Sequence, residues 1–82
     1  MDLVKIGKYI ASKRKSLGMT QKQLAEKIGM NDKSVSKWER GICLPDVSVY
    51  LELCEILGIS LNEFLAGEDI ERDNIEKNQK IH

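Results

Sequence analysis

Apolar residues recur along this chain at spacings of three and four, and no stretch sustains the alternation a strand requires. Ile6, Ile10 and Leu17 fall on one face of an amphipathic first helix. Leu24 and Ile28 give a second helix its inward face, and Val35 and Trp38 do the same for a third. Tyr50 shares a face with Val47, Cys54 and Leu57, while Leu61 and Leu65 can finish a core. Capping chemistry marks the starts. Thr20 with Gln23, and Ser60 with Glu63, are capping boxes, stapled by Met19/Leu24 and Ile59/Phe64. Asn31, between Met30 and Val35, and Asp46, after Pro45, are further caps. Gly18, Gly29, Gly41, Gly58 and Gly67 stand just past the periodic segments, where a left-handed residue ends a helix. The spacing predicts helices over 2–17, 21–28, 32–40, 47–57 and 60–66. That is a compact, all-α, five-helix domain over residues 1–67, followed by a charged tail over 68–82. In the tail Ile70, Ile75 and Ile81 make no continuous stripe, so it reads as a flexible end, with a sixth helix or a lead-in to a partner surface as the sharper alternative.

A length of 82 residues allows one small domain with a thin core. Cys43 and Cys54 fit neither a disulfide framework nor a zinc site and read as small buried thiols in a reducing cytoplasm. The N-terminus has no apolar signal region, and no apolar run approaches the ~18–20 residues that span a bilayer. A cytoplasmic protein without membrane contact, metal or cofactor is the expectation. Catalysis finds no support: there is no glycine-rich phosphate loop and no His beside a Cys or Ser, and Glu52 and Glu55 read as solvated surface.

Thirteen basic and thirteen acidic side chains cancel, and a zero total speaks against nucleic acid until its distribution is read. Residues 1–40 hold ten Lys/Arg and four Asp/Glu, a net of +6, and residues 41–82 hold three and nine, a net of −6. The basic half contains the first three helices. Within it, Gln21–Arg40 is two short helices joined by a turn through Gly29, with the small Ala25 allowing close approach: a helix-turn-helix arrangement. With Val35 and Trp38 inward, Asp32, Lys33, Ser36, Lys37 and Arg40 point outward, and such side chains read base edges or hold phosphates. The amino ends of both helices favour an anion, which brings Thr20, Gln21, Lys22 and Asn31 to a phosphate backbone.

On Arg14, Leu17–Gln21, Leu24-Ala25, Gly29, Val35–Gly41, Pro45-Asp46 and Leu57–Ser60, the run 6–67 resembles a lambda-repressor-like helix-turn-helix domain of the Cro/XRE family. The resemblance implies a third helix seated in the major groove of double-stranded DNA, as a homodimer on a two-fold operator. It implies base reading by Gln21, Asp32, Lys33, Ser36 and Lys37, phosphate contacts from Gln21 and Ser34, and an ion pair between Arg14 and Glu39 that turns Arg14 toward the DNA backbone. Asp32 departs from phage repressors; it either accepts from a cytosine amino group or repels phosphate at wrong sites. Relatives of this family often continue into a further domain.

Several positions stay open on sequence grounds. Trp38 is a core-edge residue between helices three and four, or a phosphate donor through its indole N–H. Tyr9 goes either way. Among Lys5, Lys8, Lys13 and Lys15, one or two are expected to touch phosphate. Leu61, Phe64, Leu65 and Ile70 exceed what the end of so small a domain needs, and a dimer contact is expected there. The leading function is a sequence-specific transcriptional regulator, acting as a repressor. The alternative is a protein-binding, antitoxin-like module, suggested by the acidic C-terminal half.

Overall fold

The computed structural model describes residues 1–70. Its elements are α1 (Leu3–Ser16), α2 (Gln21–Lys27), α3 (Asp32–Glu39), a 3-10 turn (Val47–Val49) running into α4 (Tyr50–Leu57), and α5 (Leu61–Ala66). There is no strand among the described residues. The capping chemistry forms as the sequence predicts. Thr20 Oγ1 accepts from the Gln23 N–H while Gln23 Oε1 accepts from the Thr20 N–H, and Ser60 and Glu63 repeat the exchange at α5. Asn31 Oδ1 accepts from the Lys33 N–H to start α3. Asp2 does the same for α1 through the Lys5 N–H. All five helix-ending glycines carry positive φ.

The predicted helix 47–57 is divided. The Asp46 carboxylate accepts from the Ser48 N–H and closes the 3-10 turn, so α-helical winding begins only at Tyr50. The tighter turn carries Val47 out to solvent, at 73% exposure, away from the face of Cys54 and Leu57. Leu53, absent from the predicted face, is fully buried instead.

Phe64, Ile6, Ile10, Leu24, Leu53 and Val35 form the dry centre. Tyr50 lays its ring against Phe64, with centroids 4.9 Å apart. Burial removes Phe64 from any partner-facing surface, contrary to the expectation for helix five. Leu65 is half-buried against the core, which leaves Leu61 and Ile70 as the partly exposed members of that set. Leu17 lies past the end of α1 and is exposed, and Arg14 takes the buried place on the Ile6–Ile10 face. Cys43 is exposed, not buried as expected; Cys54 is buried, and its thiol is pushed up by burial and by the nearby Glu63 charge. Trp38 is buried in α3 and belongs to the core, as one of the two sequence readings had it, and α3 packs chiefly on α1 and α2. Gly7, in the middle of α1, is where α1 passes close to the last carbonyls of α3.

The segment after α5 is tied back onto α1. Asp69 accepts from the Tyr9 hydroxyl at 2.8 Å and pairs with Lys13 at 2.8 Å, Glu68 pairs with Lys5 at 3.3 Å, and the Ile70 N–H donates to Glu63. The tail expected from 68 therefore begins as part of the domain. Its remainder, 71–82 with Ile75 and Ile81, lies outside the described residues. Tyr9 belongs to the core, and burial followed by the bond to Asp69 pushes its phenol well up. Lys13 first, then Tyr9, hold the Asp69 carboxyl below its usual range. A depressed folded-state value stabilises the fold above the unfolded carboxylate value of about 3.9, and the contribution is lost as pH falls from there through the folded-state value. Asp69→Asn should therefore lower stability slightly above about pH 5, with the gap to the parent closing as pH falls through the lowered folded-state value. Urea titrations at stepped pH check this, and a gap that persists at low pH would contradict it.

Candidate nucleic-acid interface

A largely buried polar cluster lies where α1, α2 and α3 meet. Glu39, at the end of α3, receives the Arg14 guanidinium in fork geometry, Nε to Oε2 at 2.6 Å and Nη2 to Oε1 at 2.9 Å. Arg14 Nη1 also donates to the Met19 carbonyl at 2.8 Å, at the entry to α2. The Gln21 Nε2 donates to Glu39 Oε1 at 3.0 Å. The two charged side chains are only 10% and 7% exposed. The Glu39 carboxylate pushes the Arg14 guanidinium further up from its already high value, against the opposing effect of burial. The cluster thus joins the end of α1, the start of α2 and the end of α3.

This geometry revises one expectation. Arg14 lies underneath the surface, with donors turned to Glu39 and Met19, and is not directed outward to a phosphate. The predicted Arg14–Glu39 pair is present. Its link to Gln21 is not legible in the sequence, because the two residues lie on different helices whose approach no periodicity within a helix describes. Above the cluster, Asp32, Lys33, Lys37 and Arg40 are exposed on α3, and Ser34 and Ser36 are half-buried. Arg40 folds back along the helix, and its Nε donates to the Ser36 carbonyl at 3.3 Å and to Ser36 Oγ at 3.2 Å. Ser36 therefore retains its hydroxyl proton as the group to offer a ligand. Thr20 and Asn31 serve as caps, which leaves the Thr20 hydroxyl proton and the Asn31 amide nitrogen for an anion. Lys22 is exposed and Gln21 half-buried beside them. Of the α1 lysines, Lys5 and Lys13 are paired with Glu68 and Asp69, while Lys8 and Lys15 are exposed.

Charge follows the same division. No Lys or Arg occurs between 41 and 70, where Asp46, Glu52, Glu55, Glu63, Glu68 and Asp69 stand. Helices α1 to α3 are basic and α4 with α5 acidic, a separation that orients a domain in the field of a polyanion. Among the described residues no group of His, Cys, Asp and Glu could hold a metal ion, and no helix is long and apolar enough to cross a membrane.

The comparison with known proteins points the same way. A helix-turn-helix family profile matches residues 10–64. The HTH-type transcriptional regulator ImmR of Bacillus subtilis is 29% identical over 69 residues, 84% of this chain and 54% of that protein. The cryptic phage CTXphi transcriptional repressor RstR of Vibrio cholerae is 35% identical over 60 residues, 73% of this chain and 54% of its own length. The chain thus spans about half the length of these curated relatives. Among solved structures, the restriction-modification controller protein C.AhdI from Aeromonas hydrophila superimposes with a TM-score of 0.70 at 32% identity, covering 77% of this chain and 96% of that one. The clp gene regulator ClgR from Corynebacterium glutamicum superimposes with a TM-score of 0.72 at 25% identity, covering 82% and 71%.

Proposed function

The chain belongs to the helix-turn-helix family of the Cro/XRE type, and from that premise we propose that it is a DNA-binding transcriptional regulator, a sequence-specific repressor that places α3 in the major groove. The observation that carries this reading is the row Asp32, Lys33 and Lys37, with Arg40 at the helix end, exposed while the opposite face, Val35 and Trp38, is buried in the core. A helix so supported can enter a groove about 12 Å wide without disturbing the core. Asp32, Lys33, Ser36, Lys37 and Gln21 read bases. Thr20, Lys22, Asn31, Ser34 and Arg40 meet phosphates, which set register without specifying sequence. The unit binds as a homodimer on a two-fold operator, with Leu61 and Ile70 on the side turned from the duplex. The alternative, a protein-binding module, is not favoured by relatives described as transcriptional regulators.

Selection of bound sites from random duplex DNA tests the proposal. The expected result is a two-fold symmetric consensus; recovery of unrelated sequences would overturn it. With about six to ten phosphates neutralised, affinity should fall by roughly three to five decades between 50 and 200 mM salt. Lys37→Ala should cost about 1–3 kcal/mol of discrimination at its own base pair. A loss equal for every sequence would reassign Lys37 to phosphate.

A further inference from the structure

Glu39 does more than neutralise Arg14. We infer that it is a positioning residue: it holds the Gln21 amide in one of its two possible orientations and so sets which base Gln21 reads, namely adenine. The inference rests on the DNA-binding reading above.

The orientation follows from chemistry. An ionised carboxylate only accepts hydrogen bonds, so the amide branch that meets Glu39 Oε1 at 3.0 Å must be the NH2 end. Glu39 cannot rotate to serve Gln21 alone, because both of its oxygens are engaged by the Arg14 fork. Burial of the pair keeps water from competing for the same lone pairs. The Gln21 carbonyl oxygen is then left as a free acceptor: among the described residues no donor reaches it, and no buried side-chain oxygen lacks a partner, so it is open to solvent. One amide N–H also remains. An acceptor beside a donor matches the adenine edge in the major groove, with N6–H donating to Oε1 and N7 accepting the N–H. A phosphate offers acceptors only and would leave Oε1 unmatched. Glu39 itself, 7% exposed, does not reach the DNA; its effect on recognition is carried by Gln21.

The test uses the full chain and the duplex obtained by selection, with every single-base-pair variant of one half-site. The parent should prefer adenine at one position by about ten- to a hundredfold. Glu39→Gln keeps the shape but replaces one accepting oxygen by an NH2 group, so it cannot accept all three N–H groups that Arg14 and Gln21 now donate; the new NH2 must face one of those donors, and the fixed setting of the Gln21 amide is lost. The substitution should collapse the preference at that one position and leave the ranking at the others unchanged. In a Gln21→Ala background the preference is already absent, and Glu39→Gln should produce no further change in it. A structural role alone would weaken binding to every variant alike, and that outcome overturns the inference. A second measurement needs neither DNA nor a variant. In the parent, one Gln21 amide proton should be shifted downfield and protected from exchange relative to its twin; two equivalent, fast-exchanging protons would overturn the positioning bond. A parent that binds no duplex while showing the protected proton would instead overturn the DNA-binding reading, and the adenine assignment with it.

Discussion

Arg14→Ala should cost about 3–5 kcal/mol of folding stability, a large share of what a domain of this size possesses. The pair is nearly dry, so deleting one member leaves the other as an uncompensated charge away from water. Here the stranded group would be Glu39, left with Gln21 as its donor, while the Met19 carbonyl loses its own partner. Glu39→Ala should be comparably damaging, since it strands the guanidinium. The asymmetry of buried ion pairs supplies the control. Replacing both, Arg14→Met with Glu39→Leu, removes the charges together and should lose much less than the sum of the single changes. Thermal and urea unfolding followed by helical circular dichroism measure all three. At roughly 4–8 °C per kcal/mol for a domain of this length, the single changes should lower Tm by about 12 °C or more. Strictly additive losses would mean that the pair is solvated and contributes little.

Gly7→Ala should destabilise the fold, against the usual direction for a helix interior. In an exposed helix that change gains about 1 kcal/mol, because Gly loses more backbone freedom than Ala on folding. Here a Cβ at position 7 would lie 2.7 Å from the Glu39 carbonyl oxygen and nearer still to that of Trp38. Both are backbone atoms and cannot swing aside as a side-chain end would. Either α1 moves off α3 or the end of α3 distorts, and overpacking of this kind costs about 1–3 kcal/mol, more for Gly7→Val. The displaced end of α3 is the one that carries Glu39, so the support under Gln21 shifts with it. Gly7→Ala should therefore weaken DNA binding even at temperatures where the variant is fully folded. Unfolding midpoints and binding isotherms on the same preparations check this. A variant as stable as the parent, or more so, would show that α1 and α3 have room between them.

These two predictions concern positions that reading along the chain treats differently from the folded molecule. Arg14 could be matched to Glu39 by resemblance, yet its burial and the inclusion of Gln21 could not be read from spacing. Gly7 carries no helix-ending signal, and nothing in its local sequence marks a close approach. Leu17 and Val47 look apolar and periodic, but both are exposed. Leu17 falls beyond the last turn of α1, and Val47 falls in a 3-10 turn whose pitch breaks the expected periodicity. Phe64 stands in an apolar run that suggests a partner surface, but α5 turns it fully into the core, against the Tyr50 ring of α4.

What the sequence determined by itself was whatever depends on neighbours within about four positions. Helix caps, the glycine ends, the Gln21–Arg40 pair of short helices and the outward row on α3 all follow from bonds between a side chain and the nearest backbone groups, or from the 3.6-residue period. The division of charge between the two halves was equally plain. The tertiary structure alone decided which face met which. It buried Arg14 and Glu39 and drew in Gln21 from 18 residues away, required a glycine where α1 crosses α3, and fastened Asp69 to Tyr9 across 60 residues. The physical reason is range. A capping bond is made between atoms the chain already holds together, whereas desolvation and close packing depend on surfaces that meet only when the whole chain has folded.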